Sequence, residues 1–270
     1  TFTKNSVYYG ITSTGKVIKC DITSGSWLTT KQSMCSDKTI TCVYEDNDTG
    51  YLFFATSDYR IYKILKTDLM SSTLYPATLI KETNLGLSIK CLVLVNNVLY
   101  FAGYGGYVDA LTLSDNKLHT KDVTNSEYVS TDGESYCINN GSAIGNVHVN
   151  AIFSDGINLI IMGVNGHVAS CSLTTKGWTS YKGEALTTST VDSIIYNDGS
   201  ATNGNTILSY VNYVNTKLYV LCKGGYIASV NLSTGNWSNY NGTSTLRSSG
   251  AAPGVYSAGT VLGGEDIYCG

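Results

Sequence analysis

Two stretches of this chain read as one pattern written twice: KLYVLCKGGYIASVNLSTGNWSNY at residues 217–240 and NLIIMGVNGHVASCSLTTKGWTSY at residues 158–181. In each, an apolar run enters a short turn, Lys223-Gly224-Gly225 or Val164-Asn165-Gly166. An alternating apolar run follows, and a second turn leads to Trp237 or Trp178. Gly and Asn tolerate the positive φ that closes a tight connection, so the pattern predicts strand, turn, strand.

The pattern extends in both directions along the chain. Its central apolar pair recurs at Val7-Tyr8, Leu52-Phe53, Leu99-Tyr100, Leu159-Ile160, Leu218-Tyr219 and Ile267-Tyr268. A turn and then Val17, Ile61, Val108, Val168 or Ile227 follow the first five pairs. Ten residues past three of those positions stand Trp27, Trp178 and Trp237, with Leu118 in the third repeat. Upstream of five pairs lies a further short strand: TITCVYEDN, SIKCLVLVNN, VNAIFSDG, ILSYVNYVN and AGTVLGG. Each repeat thus reads as strands a, b, c and d joined by turns. Four antiparallel strands at a period of ~40–50 residues mark a propeller blade.

On these residues the chain resembles the broad β-propeller class, with turns and Trp endings similar in outline to kelch and lectin-propeller blades. The Trp-Asp dipeptide of WD40 blades is absent. The expected fold is all-β, a β-propeller of five or six four-stranded antiparallel blades forming one domain over residues 1–270. The repeats cover about 1–32, 38–74, 88–120, 147–181 and 207–240, with a half-blade at 255–270. The half-blade either closes a ring or leaves a strand edge open to another chain.

Composition narrows the partners. Only 14% of residues are charged and the net charge is −3, which gives no electrostatic reason to bind nucleic acid. No run approaches the ~18 apolar residues of a spanning helix, so membrane insertion is not expected. A neutral surface of Ser, Thr, Asn, Gly and Tyr suits an extracellular or virion location. The chain reads as a mature product or a segment of something longer.

The two longest intervals carry polar insertions in d–a loops, residues 125–148 and 187–207. They share INNGSAIGN and YNDGSATNGN, and RSSGAAPGV at 247–255 is a third version. Long loops on one face of a rigid scaffold are where recognition concentrates, and a cover protecting the rim is their alternative role. The candidate ligand-binding residues there are Asp132, Glu134, Tyr136, Asn140, Tyr196 and Asp198. The b–c turns on the same face add Tyr59, Arg60, Tyr104, Tyr107, His167, Lys223 and Tyr226. A Tyr ring stacks on the C–H face of a sugar while its hydroxyl hydrogen-bonds, which suits glycans; packing on the next blade is the alternative role for Tyr107 and Tyr226.

Catalytic chemistry is not legible. Inner-strand starts such as Ser88-Ile89-Lys90 and Val147-His148-Val149 offer no acid pair of the kind glycosidases need. His119, His148 and His167 lack metal-ligand spacing. Asp46-Asn47-Asp48-Thr49-Gly50 is closer to a hairpin turn than to a calcium loop. No enzyme activity and no cofactor or metal is expected. Of eight cysteines, six fall in strands as small core residues. Cys35 and Cys137 fall in loops and are open to oxidation, and Cys35 with Cys42 is the locally plausible pair.

The resulting expectation is a non-catalytic surface β-propeller that binds a glycan or other cell-surface ligand through one loop face, similar to propeller modules of phage receptor-binding proteins and propeller lectins. The alternative is a structural subunit of a fibre or coat that self-associates through residues 255–270. A glycoside hydrolase is the third reading.

Overall fold

The computed structural model describes residues 2–4, 7–30, 32–83, 86, 88–121, 135–186, 194–213, 216–240, 244–245 and 257–258. The fold is all-β, made of antiparallel sheets of four to six strands. Two compact units divide the chain near Leu94.

The first unit holds two four-stranded sheets in simple meander order. Strands a to d are Phe2–Lys4, Val7–Ile11, Val17–Asp21 and Ser26–Thr29 in the first. They are Ile40–Glu45, Tyr51–Thr56, Arg60–Leu65 and Thr78–Glu82 in the second. Leu52, Phe54, Ile64, Met34 and Leu69 form the apolar core of this unit. Asp46 closes the a–b hairpin, because its carboxylate accepts the Asp48 N–H and the Thr49 hydroxyl. That carboxylate serves the turn.

Three further sheets follow. Their strands a to d are Ile89–Val95, Val98–Gly103, Tyr107–Thr112 and Lys117–His119 in the third. The fourth has Val149–Ser154, Asn158–Gly163, His167–Ser172 and Trp178–Thr179. The fifth has Ile207–Tyr213, Lys217–Cys222, Tyr226–Asn231 and Trp237–Ser238. Strand b of the fourth sheet is buried at every residue, which explains its unbroken apolar run Leu159-Ile160-Ile161-Met162. A β-bulge recurs at one place in the a–b pairing, between Ile40 and Cys42, Val149 and Ala151, and Ile207 and Ser209. The bulged Asn150 donates from Nδ2 to the Ile207 carbonyl at 2.9 Å, joining the a strands of the fourth and fifth sheets.

In these last three sheets strand d is short, and the inserted loop completes it. Asn139–Asn140, Asn197–Asp198 and Ser257–Ala258 each pair with the first two residues of strand c. Ser257–Ala258 thus takes the insert's pairing position; RSSGAAPGV, at 247–255, lies outside the described residues.

The glycines at these turns are required by close approach. Gly141, at φ +98°, lies so near the preceding b–c turn that a Cβ would stand 2.3 Å from the Gly105 carbonyl oxygen. Gly199, at φ +101°, repeats this against Asn165, at 2.4 Å. Gly156, at φ +87°, meets nothing within 4 Å. Gly141→Ala should therefore cost about 3 kcal/mol, from left-handed strain plus overpacking, while Gly156→Ala should cost about 1 kcal/mol from strain alone. Urea unfolding of both variants checks this, with the midpoint dropping far more for Gly141→Ala.

Candidate functional site

The insert loop is shaped by one buried amide. Asn139 accepts the Gly141 and Ala143 N–H groups on Oδ1, at 2.8 and 3.1 Å. Asn197 accepts the Ala201 N–H at 3.2 Å and donates from Nδ2 to the Gly166 carbonyl at 2.9 Å. The b–c turn and the insert are thereby fastened together. Each insert also supplies a carbonyl to the next sheet: Trp178 Nε1–H donates to Ile138 at 3.2 Å, and Trp237 Nε1–H to Tyr196 at 2.9 Å. The Tyr that ends each repeat locks on as well, Tyr181 N–H to the Ala143 carbonyl at 2.8 Å and Tyr240 N–H to Ala201 at 2.9 Å.

Where these parts meet lies an open, polar depression of about 510 Å³. It is lined by Asn165 and His167 from the b–c turn of the fourth sheet, Asp198, Ser200, Asn203 and Gly204 from the insert, and Tyr240. The Tyr240 ring touches Tyr226 at 5.5 Å between centroids, tilted by 56°. One repeat earlier the corresponding rings lie face to face. There the His167 ring stacks on Tyr181 at 4.0 Å, and its Nδ1 lies 3.1 Å from the Ile144 carbonyl. A carbonyl only accepts, so Nδ1 carries the proton.

Of the expected residues, His167 and Asp198 line the depression, as directly opposed partners in the strand pairing, and Tyr226 stands behind Tyr240. Tyr107 opposes Asn140 in the equivalent pairing, and Asn140 caps Ser142. Tyr104 is 53% exposed and stacks against His148 at 4.0 Å. Tyr136 stacks on His119 at 3.9 Å. Tyr196 gives its carbonyl to Trp237, and its ring fills the space beside Gly183. Lys223 is exposed on its turn. Arg60 pairs with Asp58 at 2.8 Å and Glu82 at 3.3 Å in the first unit, and the neighbouring Tyr59 carbonyl receives Thr83. Asp132 and Glu134 lie outside the described residues.

Asn165, Ser200, Asn203, Gly204 and Tyr240 were not among the expected site residues. The signal that could have found Tyr240 is the shared spacing Trp178…Tyr181 and Trp237…Tyr240. Cys35, Cys42 and Cys137 are free thiols, and the loop cysteines 35 and 137 are both buried. Burial pushes the Cys42 thiol up to about 12. Among the described residues no group of three or more His, Cys, Asp or Glu is placed to hold a metal ion, and no helix is long and apolar enough to cross a membrane.

No family model matches the chain, and no curated protein matches it. Its fold is similar to that in the crystal structure of the computationally designed Ika8 protein, with a TM-score of 0.53 and 12% identity. The match covers 88% of this chain and 58% of that one, so the chain spans less than two thirds of the designed protein's length. At this identity the likeness concerns the fold alone.

The Ser200 hydroxyl and N–H, which outweigh partial burial, hold the Asp198 carboxyl below the usual carboxylate range, and the charge on His167 acts in the same direction. Since the folded value lies below the unfolded one, the ionised group stabilises the loop above about pH 4 and loses that contribution as pH falls through the folded value. Carbon-detected titration should place the Asp198 midpoint below that of a free Asp, and Ser200→Ala should move it upward. A midpoint unchanged by Ser200→Ala would contradict this assignment.

Proposed function

We propose that this chain is a non-catalytic β-propeller module of an extracellular or virion surface, and that it binds a glycan in the depression beside Tyr240. The propeller reading is supported by successive four-stranded meanders at a regular period, with the a strands of neighbouring sheets joined through Asn150. The binding reading rests on one observation: an aromatic ring, a carboxylate and side-chain amides surround an open space of about 510 Å³. A pyranose has an apolar C–H face and a rim of hydroxyls. Tyr240 suits the face, and Asp198 with Asn165 and Asn203 suits the rim. The ionised carboxylate accepts from two adjacent hydroxyls at once, a charge-assisted arrangement stronger than neutral bonds.

A glycan array read with the wild-type chain should return a bound class, and Asp198→Ala and Tyr240→Ala should each weaken it by about tenfold or more. Arg60→Ala should leave it unchanged. Retention of no glycan, or equal binding by the two site variants, would overturn the reading.

A second reading, self-assembly into a fibre or coat, is favoured by Trp27. This residue opposes Cys20 as Trp178 opposes Cys171 and Trp237 opposes Val230. Yet Trp27 is 59% exposed, whereas Trp178 and Trp237 are each 2% exposed beneath the insert of the preceding repeat. Ser257–Ala258 belongs to an insert of the same kind. In an assembly, that loop of one copy covers Trp27 of the next, as a β-edge contact between chains. Sedimentation velocity across a concentration series should show association that Trp27→Ala abolishes; a monomer at every concentration would contradict it.

A further inference from the structure

We propose that Cys137 and Cys171 form a disulfide when the chain folds in an oxidising medium, stapling the insert of the third sheet to strand c of the fourth. Both side chains are fully buried. Both thiols point at one acceptor, the Ser172 carbonyl oxygen, at 3.5 Å from Cys137 and 3.6 Å from Cys171. The shared acceptor brings the two thiols to the same carbonyl, and the Cys137 side chain interacts with the Cys171 thiol. The approach of the insert is fixed on one side by the Trp178 indole, which opposes Cys171 across the sheet and donates to Ile138, the residue after Cys137.

The next repeat supplies a comparison within the same molecule. There the insert residue two before Asn197 is Ile195, and the strand position corresponding to Cys171 is Val230. Both are buried in one apolar cluster. Two positions that share one apolar cluster in the fifth sheet's repeat are thus both cysteine in the fourth sheet's repeat. A lone core cysteine needs no partner change, whereas a disulfide requires both.

The chemistry proceeds by exchange with a small-molecule disulfide such as oxidised glutathione. One thiolate of the pair attacks a glutathione sulfur, forming a mixed disulfide and releasing one glutathione thiolate. The second protein thiolate attacks the protein sulfur of that mixed disulfide, closing the Cys137–Cys171 bond and expelling the second glutathione thiolate. The two protons lost by the cysteines protonate the two glutathione thiolates. Two protein thiols are oxidised and one glutathione disulfide is reduced. Burial raises the Cys171 thiol far above its ordinary range, so the reactive thiolate is absent once the insert has docked. The bond therefore forms during folding.

The test is to refold the full chain from denaturant in reduced and oxidised glutathione, block free thiols with iodoacetamide, and analyse intact mass and peptides. The expected result is a cross-linked peptide pair carrying Cys137 and Cys171, with the unalkylated protein about 2 Da lighter than the fully reduced chain. The oxidised form should melt about 5–15 °C above the same protein refolded with reductant. The double variant Cys137→Ile with Cys171→Val, which installs the residues of the next repeat, should fold and lose that reductant sensitivity. Alkylation of all eight cysteines, or either residue linked to a different partner, would overturn the proposal.

Discussion

The buried side-chain amide at the start of two inserts, Asn139 and Asn197, is the contact on which this part of the chain depends. Asn197 is 4% exposed, and it takes the place of a backbone partner for two groups, the Ala201 N–H and the Gly166 carbonyl. Backbone polar groups left unpaired in such a place would each cost about 1–3 kcal/mol. Asn is suited to the task because one planar group both accepts and donates. Once the loop is hooked to the turn, its carbonyls face the next sheet and receive the Trp indole and the terminal Tyr N–H. One interaction within a repeat thus orients the bonds between repeats.

The ring contacts differ between repeats within this frame. The position that opens strand c is His167 in the fourth sheet and Tyr226 in the fifth. His167 lies flat on Tyr181 and engages the Ile144 carbonyl. Tyr226 meets Tyr240 at a tilt of 56°, and the depression beside Tyr240 is lined by Asp198 and Asn203. The same scaffold position therefore holds a stacked His–Tyr pair in one repeat and a tilted Tyr–Tyr pair beside the depression in the next. Recognition residues on a rigid frame bind without a large ordering cost, which is the advantage of building a site this way.

Much of the strand pattern was legible, because alternation, apolar pairs and Gly turns are local signals. The pair Leu218-Tyr219 and the turn Gly224-Gly225 fall in strand b and its turn as expected from the sequence. What was not legible depends on partners far away in the chain. Cys137 looks like a loop residue and is buried, since the insert folds down against strand c. Arg60 looks like a surface cation available to a ligand, yet Asp58 and Glu82 hold it. The pairing position at Ser257–Ala258 has Ser where the other inserts have Asn, and only the pairing with Tyr226 and Ile227 locates it.

The amide hook is tested most directly by native-state hydrogen exchange at Ala143, Ala201, Tyr181 and Tyr240. These N–H groups lie in loops and beyond strand ends, where exchange is ordinarily fast. If the hook organises the unit, they should be as protected as strand residues such as Ile160, and Asn197→Ala should release Ala201 and Tyr240 together while leaving Ala143 slow. Fast exchange at Ala143 and Ala201 in the wild-type chain would contradict the account.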